Sequence, residues 1–165
     1  MRLRTYVLTV SVALFTMAVG TKDARPSEGI NPGDLAPRIK SLGNEDNLSF
    51  QNEHGRYTLL CFWAAYDAES RVRNVQLSKE VEKLDSDNIE MYSVSFDENR
   101  SIFNETLKID GLKVKNQFNE SDSKPALYKQ FKLDKGLKTY LIDDKGIIVA
   151  VNFNPKRLTE YLKES

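Results

Sequence analysis

The residues best suited to chemistry in this chain sit close together, yet they fall short of a reactive set. Trp63 to Arg71 reads WAAYDAESR and directly follows the apolar run YTLLCF, Tyr57 to Phe62. Asp67 and Glu69 are two carboxylates that could serve as acid and base. Two residues apart on a helix they project about 200° from one another, so a shared site is not expected. Asp67 reads instead as a helix N-cap and Glu69 as a favourable first-turn charge. Ser70 as a nucleophile would need a neighbouring base, and the only histidine, His54, is remote in sequence. Cys61 is the only cysteine, which excludes an intramolecular disulfide. Inside an apolar run it reads as a small buried hydrophobe, because a reactive thiol needs exposure and a positive setting. One histidine and one cysteine make no recognisable metal cluster, and no cofactor is expected. Asp143 and Asp144 could suggest a calcium ligand pair, but a hairpin turn accounts for them without an ion.

Positioning these residues requires an alternation of strands and helices. RIKSL, from Arg38, alternates as a short strand, and NEDNLSFQNEHGR reads as a loop or hairpin turning at His54-Gly55. YTLLCFWAA, Tyr57 to Ala65, is nearly continuous in apolar strand formers, the signature of a central strand buried on both faces. A helix capped by Asp67 should follow, with Val72, Val75, Leu77, Val81 and Leu84 at approximately helical spacing, ending near 85–88. Ile89 to Asp97 alternates as a second strand. NRSIFNETLKI predicts a helix capped by Asn99 or Ser101, GLKVKNQFN a short extended piece, and SKPALYKQFKL a helix capped by Ser123 with Pro125 in its first turn. Tyr128 and Phe131 belong to the core on this reading. KTYLIDDKGIIVAVN is two apolar runs around a turn, a hairpin signal. A last helix should start at Asn154-Pro155. The order implies an α/β sandwich, with the first two core strands parallel and an antiparallel hairpin added at the end.

Three stretches in this order carry a resemblance. Gly33-Asp34-Leu35-Ala36-Pro37, Phe62-Trp63-Ala64-Ala65-Tyr66, and Leu141-Ile142-Asp143 followed by Gly146 resemble the GDxAP opening, the FWA-x-W strand end and the LID-x-x-G hairpin of thioredoxin-like proteins, closest to the TlpA/ResA type. The resemblance spans about residues 33–164. It implies a thioredoxin-like sandwich, a central mixed sheet flanked by helices. It also implies a Cys-x-x-Cys pair at the start of the helix after the FWA stretch. There the helix dipole and free amides lower the first thiol's pKa, and the second thiol resolves the mixed disulfide. This chain has Asp67 and Ser70 at those positions, with Ala68 and Glu69 between them. A carboxylate cannot exchange disulfides, and a serine is far too weak an acid to replace a thiolate.

A second departure lies across the site. The family carries a cis-proline in a G-x-P-T-x-FLID stretch, and this chain reads KGLKTYLID. Counting back from Leu141 puts Leu137 at the proline position; counting forward from Gly136 puts Lys138 there. A cis bond at a non-proline residue costs about 2.5–4 kcal/mol, so a trans bond is expected. Peroxiredoxins share the architecture, but nothing around Cys61 matches their P-x-x-x-T-x-x-C loop. The resemblance makes Trp63, Tyr66, Asp67, Ala68, Glu69, Ser70, Arg71, Leu137, Lys138 and Thr139 the former active-site positions and a candidate partner groove. Trp63 and Tyr66 either pack the strand end or line that groove. Arg71, Arg73 and Glu69 could form a polar patch, or simply a solvated helix start.

Bulk properties fit one domain. The chain has 165 residues, 40% hydrophobic and 29% charged, and 24 basic residues balance 24 acidic ones. That neutrality argues against nucleic acid or an anionic membrane recognised through charge. Residues 1–20 open with Arg2 and Arg4, continue as an apolar segment from Val7 to Val19, and then turn polar, as a secretory signal peptide does. The apolar segment is short of the roughly 20 residues a membrane span needs, although an uncleaved anchor is the other reading. No lipobox cysteine follows it. The expected organisation is a signal peptide over 1–20, a flexible leader over 21–32 and a thioredoxin-like domain over 33–165, without a transmembrane domain in the mature chain. The leading expectation is an exported, periplasmic, redox-inactive module that binds an envelope protein or peptide. An atypical oxidoreductase using Cys61 and a structural subunit of an envelope complex are the alternatives.

Overall fold

The computed structural model describes residues 26–43, 45–52, 55–84, 87–113, 115–121 and 124–163. The expected signal peptide, residues 21–25 of the expected leader, His54 and the expected cap Ser123 lie outside the described residues. Strand β1, Ile39–Leu42, pairs antiparallel with β2, Glu45–Leu48, so a hairpin joins the RIKSL strand to the start of the next segment and turns after Leu42, not at the expected His54-Gly55. The remaining strands are β3 Tyr57–Trp63, β4 Ile89–Ser95, β5 Gln117–Asn119, β6 Thr139–Ile142 and β7 Ile148–Val151, and they form one sheet in the order β5-β4-β3-β6-β7. Helices α1 Ala68–Leu84, α2 Arg100–Asp110, α3 Lys124–Phe131 and α4 Leu158–Tyr161 connect or flank them. This is the mixed-sheet α/β sandwich expected from the sequence.

β3 is the axis. It runs parallel to β4, from Tyr57 opposite Ile89 to Trp63 opposite Ser95, and antiparallel to β6, from Thr58 opposite Ile142 to Cys61 opposite Thr139. Because strand side chains alternate, its apolar run feeds both faces. Leu60 and Phe62 enter one core with Phe96, Phe131 and Tyr140, while Leu59 and Cys61 enter a second with Leu77, Leu141 and Leu158. Phe62 lies 4.9 Å from the Phe131 ring and 5.6 Å from Phe96, so the first core is centred on aromatic packing.

Local signals set the ends of several elements. Asn99 accepts a hydrogen bond from Ser101 N–H at 2.8 Å and caps α2. Asn154 does the same for Lys156 N–H at 3.1 Å before the last helical turn. In the β6–β7 hairpin Asp143 Oδ1 accepts from Lys145 and Ile147 N–H at 3.0 and 2.8 Å, which explains that carboxylate as a turn former. Gly146 takes φ +82° there, the left-handed conformation a side chain would resist.

Two expectations need correction. The buried positions of α1 are Ser70, Asn74, Leu77 and Ser78, whereas Val72 is 55% exposed. The burial stripe follows 70, 74, 77, 78 and 81, and Val72 sits roughly 200° round the helix from position 70. Residues 26–32 are not a free leader. Leu35 donates to the Ser27 carbonyl and Gly29 to the Leu35 carbonyl, both at 3.0 Å, and Ile30 packs against the first core. Removing the centre of that core should be expensive: Phe62→Ala is expected to lower unfolding free energy by about 3–5 kcal/mol, read as a lower denaturant midpoint at unchanged slope.

Candidate functional site

The parallel pairing of β3 and β4 brings their carboxyl ends together, and the chain leaves β3 there to start α1. Asp67 sits at the N-cap. Its Oδ1 accepts from Ser70 N–H at 3.0 Å and its carbonyl from Arg71 N–H at 3.0 Å. The short side chain of aspartate satisfies a free first-turn amide that water would otherwise have to reach. Ser70 is only 2% exposed; its hydroxyl donates to the Asp67 carbonyl at 3.1 Å and accepts from Ala64 N–H at 3.4 Å. The two positions that the resemblance assigns to a cysteine pair thus lie one helical turn apart, with their polar groups bonded to the backbone.

The preceding turn is held from below. Asp97, buried just past β4, accepts Ala65 N–H on both carboxylate oxygens at 2.9 and 3.1 Å and the Ser95 hydroxyl at 2.7 Å. Asn119 of β5 donates to the Asp97 carbonyl at 2.7 Å. The sequence reading missed this carboxylate. Its one signal was position: an acidic residue directly after the second parallel strand, where strand ends converge.

Arg71 and Arg73 are not a solvated helix start. Arg71 donates through Nε and Nη2 to both Asp110 oxygens at 2.8 and 2.7 Å, a bidentate clamp from α1 onto the end of α2. That hydrogen bonding raises the guanidinium's already high pKa. Arg73 pairs with Glu69 and donates to the Leu137 carbonyl at 3.4 Å, bridging α1 and the loop before β6. Asp67 and Glu69 therefore serve separate structural ends.

The remaining predicted positions divide by exposure. Trp63 is fully buried, its ring 6.1 Å from Phe103 of α2, so it packs the strand end and does not line a groove. Leu137 and Thr139 are buried, and Lys138 is half-buried. No cis peptide occurs among the described residues, and the 136–139 loop is trans throughout. Tyr66 stands out at 66% exposure, with Lys124 Nζ 5.7 Å from its ring centroid and 5.5 Å from that of Tyr128. Burial, reinforced by Tyr66, pushes the Tyr128 hydroxyl up to about 12. Ala68 and Glu69 are exposed, and Asp67 and Arg71 are half-buried.

Cys61 lies within β3 at 0% exposure, and its Sγ accepts the Thr139 hydroxyl at 3.3 Å. Burial raises its pKa from an ordinary 9.0 to about 11, against smaller lowering effects of Thr139 and Arg73. A thiolate is the nucleophilic form, so this sulfur is both inaccessible and protonated at neutral pH.

Two outcomes follow. Asp67→Ala should cost about 1 kcal/mol of stability in denaturant titration, while Asp67→Asn, an equally good cap, should be nearly neutral. The folded state holds the Cys61 proton more tightly than the unfolded chain does. That contribution is complete below about pH 9 and disappears as pH rises through about 11. Unfolding free energy should therefore fall across this window, and Cys61→Ala should flatten the part of the decline due to the thiol.

Comparison with solved structures agrees with this geometry. No protein-family model and no curated protein matches the chain. A thioredoxin-like protein from Parabacteroides distasonis is 56% identical, over 84% of this chain and 99% of that one, with a TM-score of 0.76. The thioredoxin domain of a thiol-disulfide oxidoreductase from Bacteroides vulgatus is 22% identical over 82% of this chain and 98% of that one, at 0.64. StoA from Bacillus subtilis is 19% identical over 76% and 98%, at 0.57, and these two likenesses speak to the fold alone. The thioredoxin-like relative, 56% identical over 84% of this chain, places this chain in the thioredoxin-like family.

Proposed function

We propose that this chain is an exported, redox-inactive thioredoxin-fold protein that works as a binding or scaffold module of the bacterial envelope. One observation carries the reading. The two positions that would hold the exchanging sulfurs hold Asp67, committed as a helix cap, and Ser70, buried against the backbone. Neither can form or break an S–S bond, so thiol chemistry at the helix end has no atom to run through. Loss of that chemistry leaves the scaffold's end surface, of which Tyr66, Ala68, Glu69 and Lys138 remain accessible to another molecule. Export rests on the basic, apolar and then polar order of residues 1–20.

A second reading deserves a test because solved structures of this fold include thiol-disulfide oxidoreductases. It would route exchange through Cys61 alone. The buried, high-pKa setting of that thiol weighs against it. The purified protein should show no reduction of insulin disulfides by dithiothreitol above the uncatalysed rate, and Cys61 should react with a chromogenic disulfide reagent only once the protein is unfolded. Catalysed turnover would overturn the binding-module reading; rapid labelling of the native thiol, with turnover lost in Cys61→Ser, would establish the second.

A further inference from the structure

The large hydrophobic side chains that stand exposed among the described residues are Tyr66, Val72, Ile102 and Ile109. They fall on only two stretches, the entry to α1 and the length of α2, and the Arg71–Asp110 clamp joins those stretches. Beside the clamp lies a cleft of about 510 Å³, lined by Tyr66, Ala68, Val72 and Val75 of the first stretch together with Arg71 and Asp110; Ile102 and Ile109 do not line it. The clamp neutralises its own two charges. Lys124, next to Tyr66 and outside the lining of the cleft, lies over two tyrosine rings and makes no ion pair among the described residues.

The opposite side of the helix end is closed. The gap between α1 and the 136–139 loop measures only about 120 Å³, and Arg73 reaches through it to the Leu137 carbonyl. Several other main-chain groups of the loop are also engaged. Gly136 N–H binds the Leu133 carbonyl, the Lys138 carbonyl accepts Phe62 N–H, and Thr139 N–H binds Asn152 Oδ1. A partner strand docks by offering hydrogen bonds to free backbone groups, and this loop has few left to give.

Building on the binding-module reading, we propose that the partner docks in the Tyr66–Val72 cleft and not in the gap beside the 136–139 loop. The partner is a protein segment with an aliphatic or aromatic side chain flanked by carboxylates. The apolar side chain enters between Tyr66 and Val72, and a carboxylate meets Lys124, where a cation without an ion pair among the described residues gains a counter-charge.

Amide shifts of the ¹⁵N-labelled protein, titrated with two synthetic peptides, test this. One is acetyl-Glu-Glu-Leu-Phe-Glu-Glu-amide; the other has lysine at each glutamate. At concentrations on the order of 1 mM the acidic peptide should move the amides of Tyr66, Ala68, Val72 and Val75, and bind at least about ten-fold more tightly than the basic one. Lys124→Glu should reverse that preference. Val72→Glu, at an exposed position, should abolish binding while leaving the spectrum folded. Shifts centred on Gly136 to Thr139, equal binding of both peptides, or no shift with either would overturn the inference. Insulin turnover would instead sink the underlying reading, so the two failures are told apart.

Discussion

A strand that must be dry on both faces governs this molecule. β3 has apolar side chains at nearly every position, so it can only lie in the middle of a sheet with a layer on each side. Its hydrogen bonds to β4 and β6 leave no free edge, and its alternating residues seed two separate cores. Once β3 is central, its carboxyl end becomes the place where the chain leaves the sheet, and α1 must begin there. Every feature of the candidate site inherits that location.

The same constraint accounts for the residues found at the helix start. A helix beginning at the end of a buried strand exposes unpaired amides in a partly dry setting, and those amides need an anion or an acceptor. In a redox protein of this architecture a thiolate can fill that role. Here Asp67 fills it permanently, Ser70 turns inward, and Asp97 braces the turn from beneath. The result is a hydrogen-bond network in which Asp67, Ser70 and Asp97 are each committed to backbone groups. The remaining sulfur is locked one layer deeper, where desolvation keeps it protonated.

The ties at this end of the domain have a consequence for surface chemistry. Arg71 and Arg73 begin α1 on different sides, and each ties the helix to a different neighbour, α2 and the loop before β6. One tie leaves an open apolar cleft beside it, and the other fills the space it spans. The asymmetry follows from reach. Arg71 meets a carboxylate and ends there, while Arg73 threads between backbone segments.

Much of the fold was legible in order and pattern alone: the continuous run of β3, the Asp67 and Asn99 caps, and the Asp143 turn each act through neighbours a few residues away. The absence of a cysteine pair was equally plain, because identity at positions 67 and 70 needs no coordinates. What the chain's order could not reveal were partnerships across long separations. Asp97 beneath Ala65, Asp110 opposite Arg71 and the Leu137 carbonyl opposite Arg73 are joined only when β3, β4 and β6 bring distant segments to one end of the sheet. Val72 shows the limit most simply. Its spacing suits a buried helical stripe, but which stripe of α1 turns inward is decided by contact with the sheet, and that contact selected Ser70, Asn74 and Leu77. Local chemistry determined the elements and their ends; packing between remote segments decided which side chains were buried and which were left exposed.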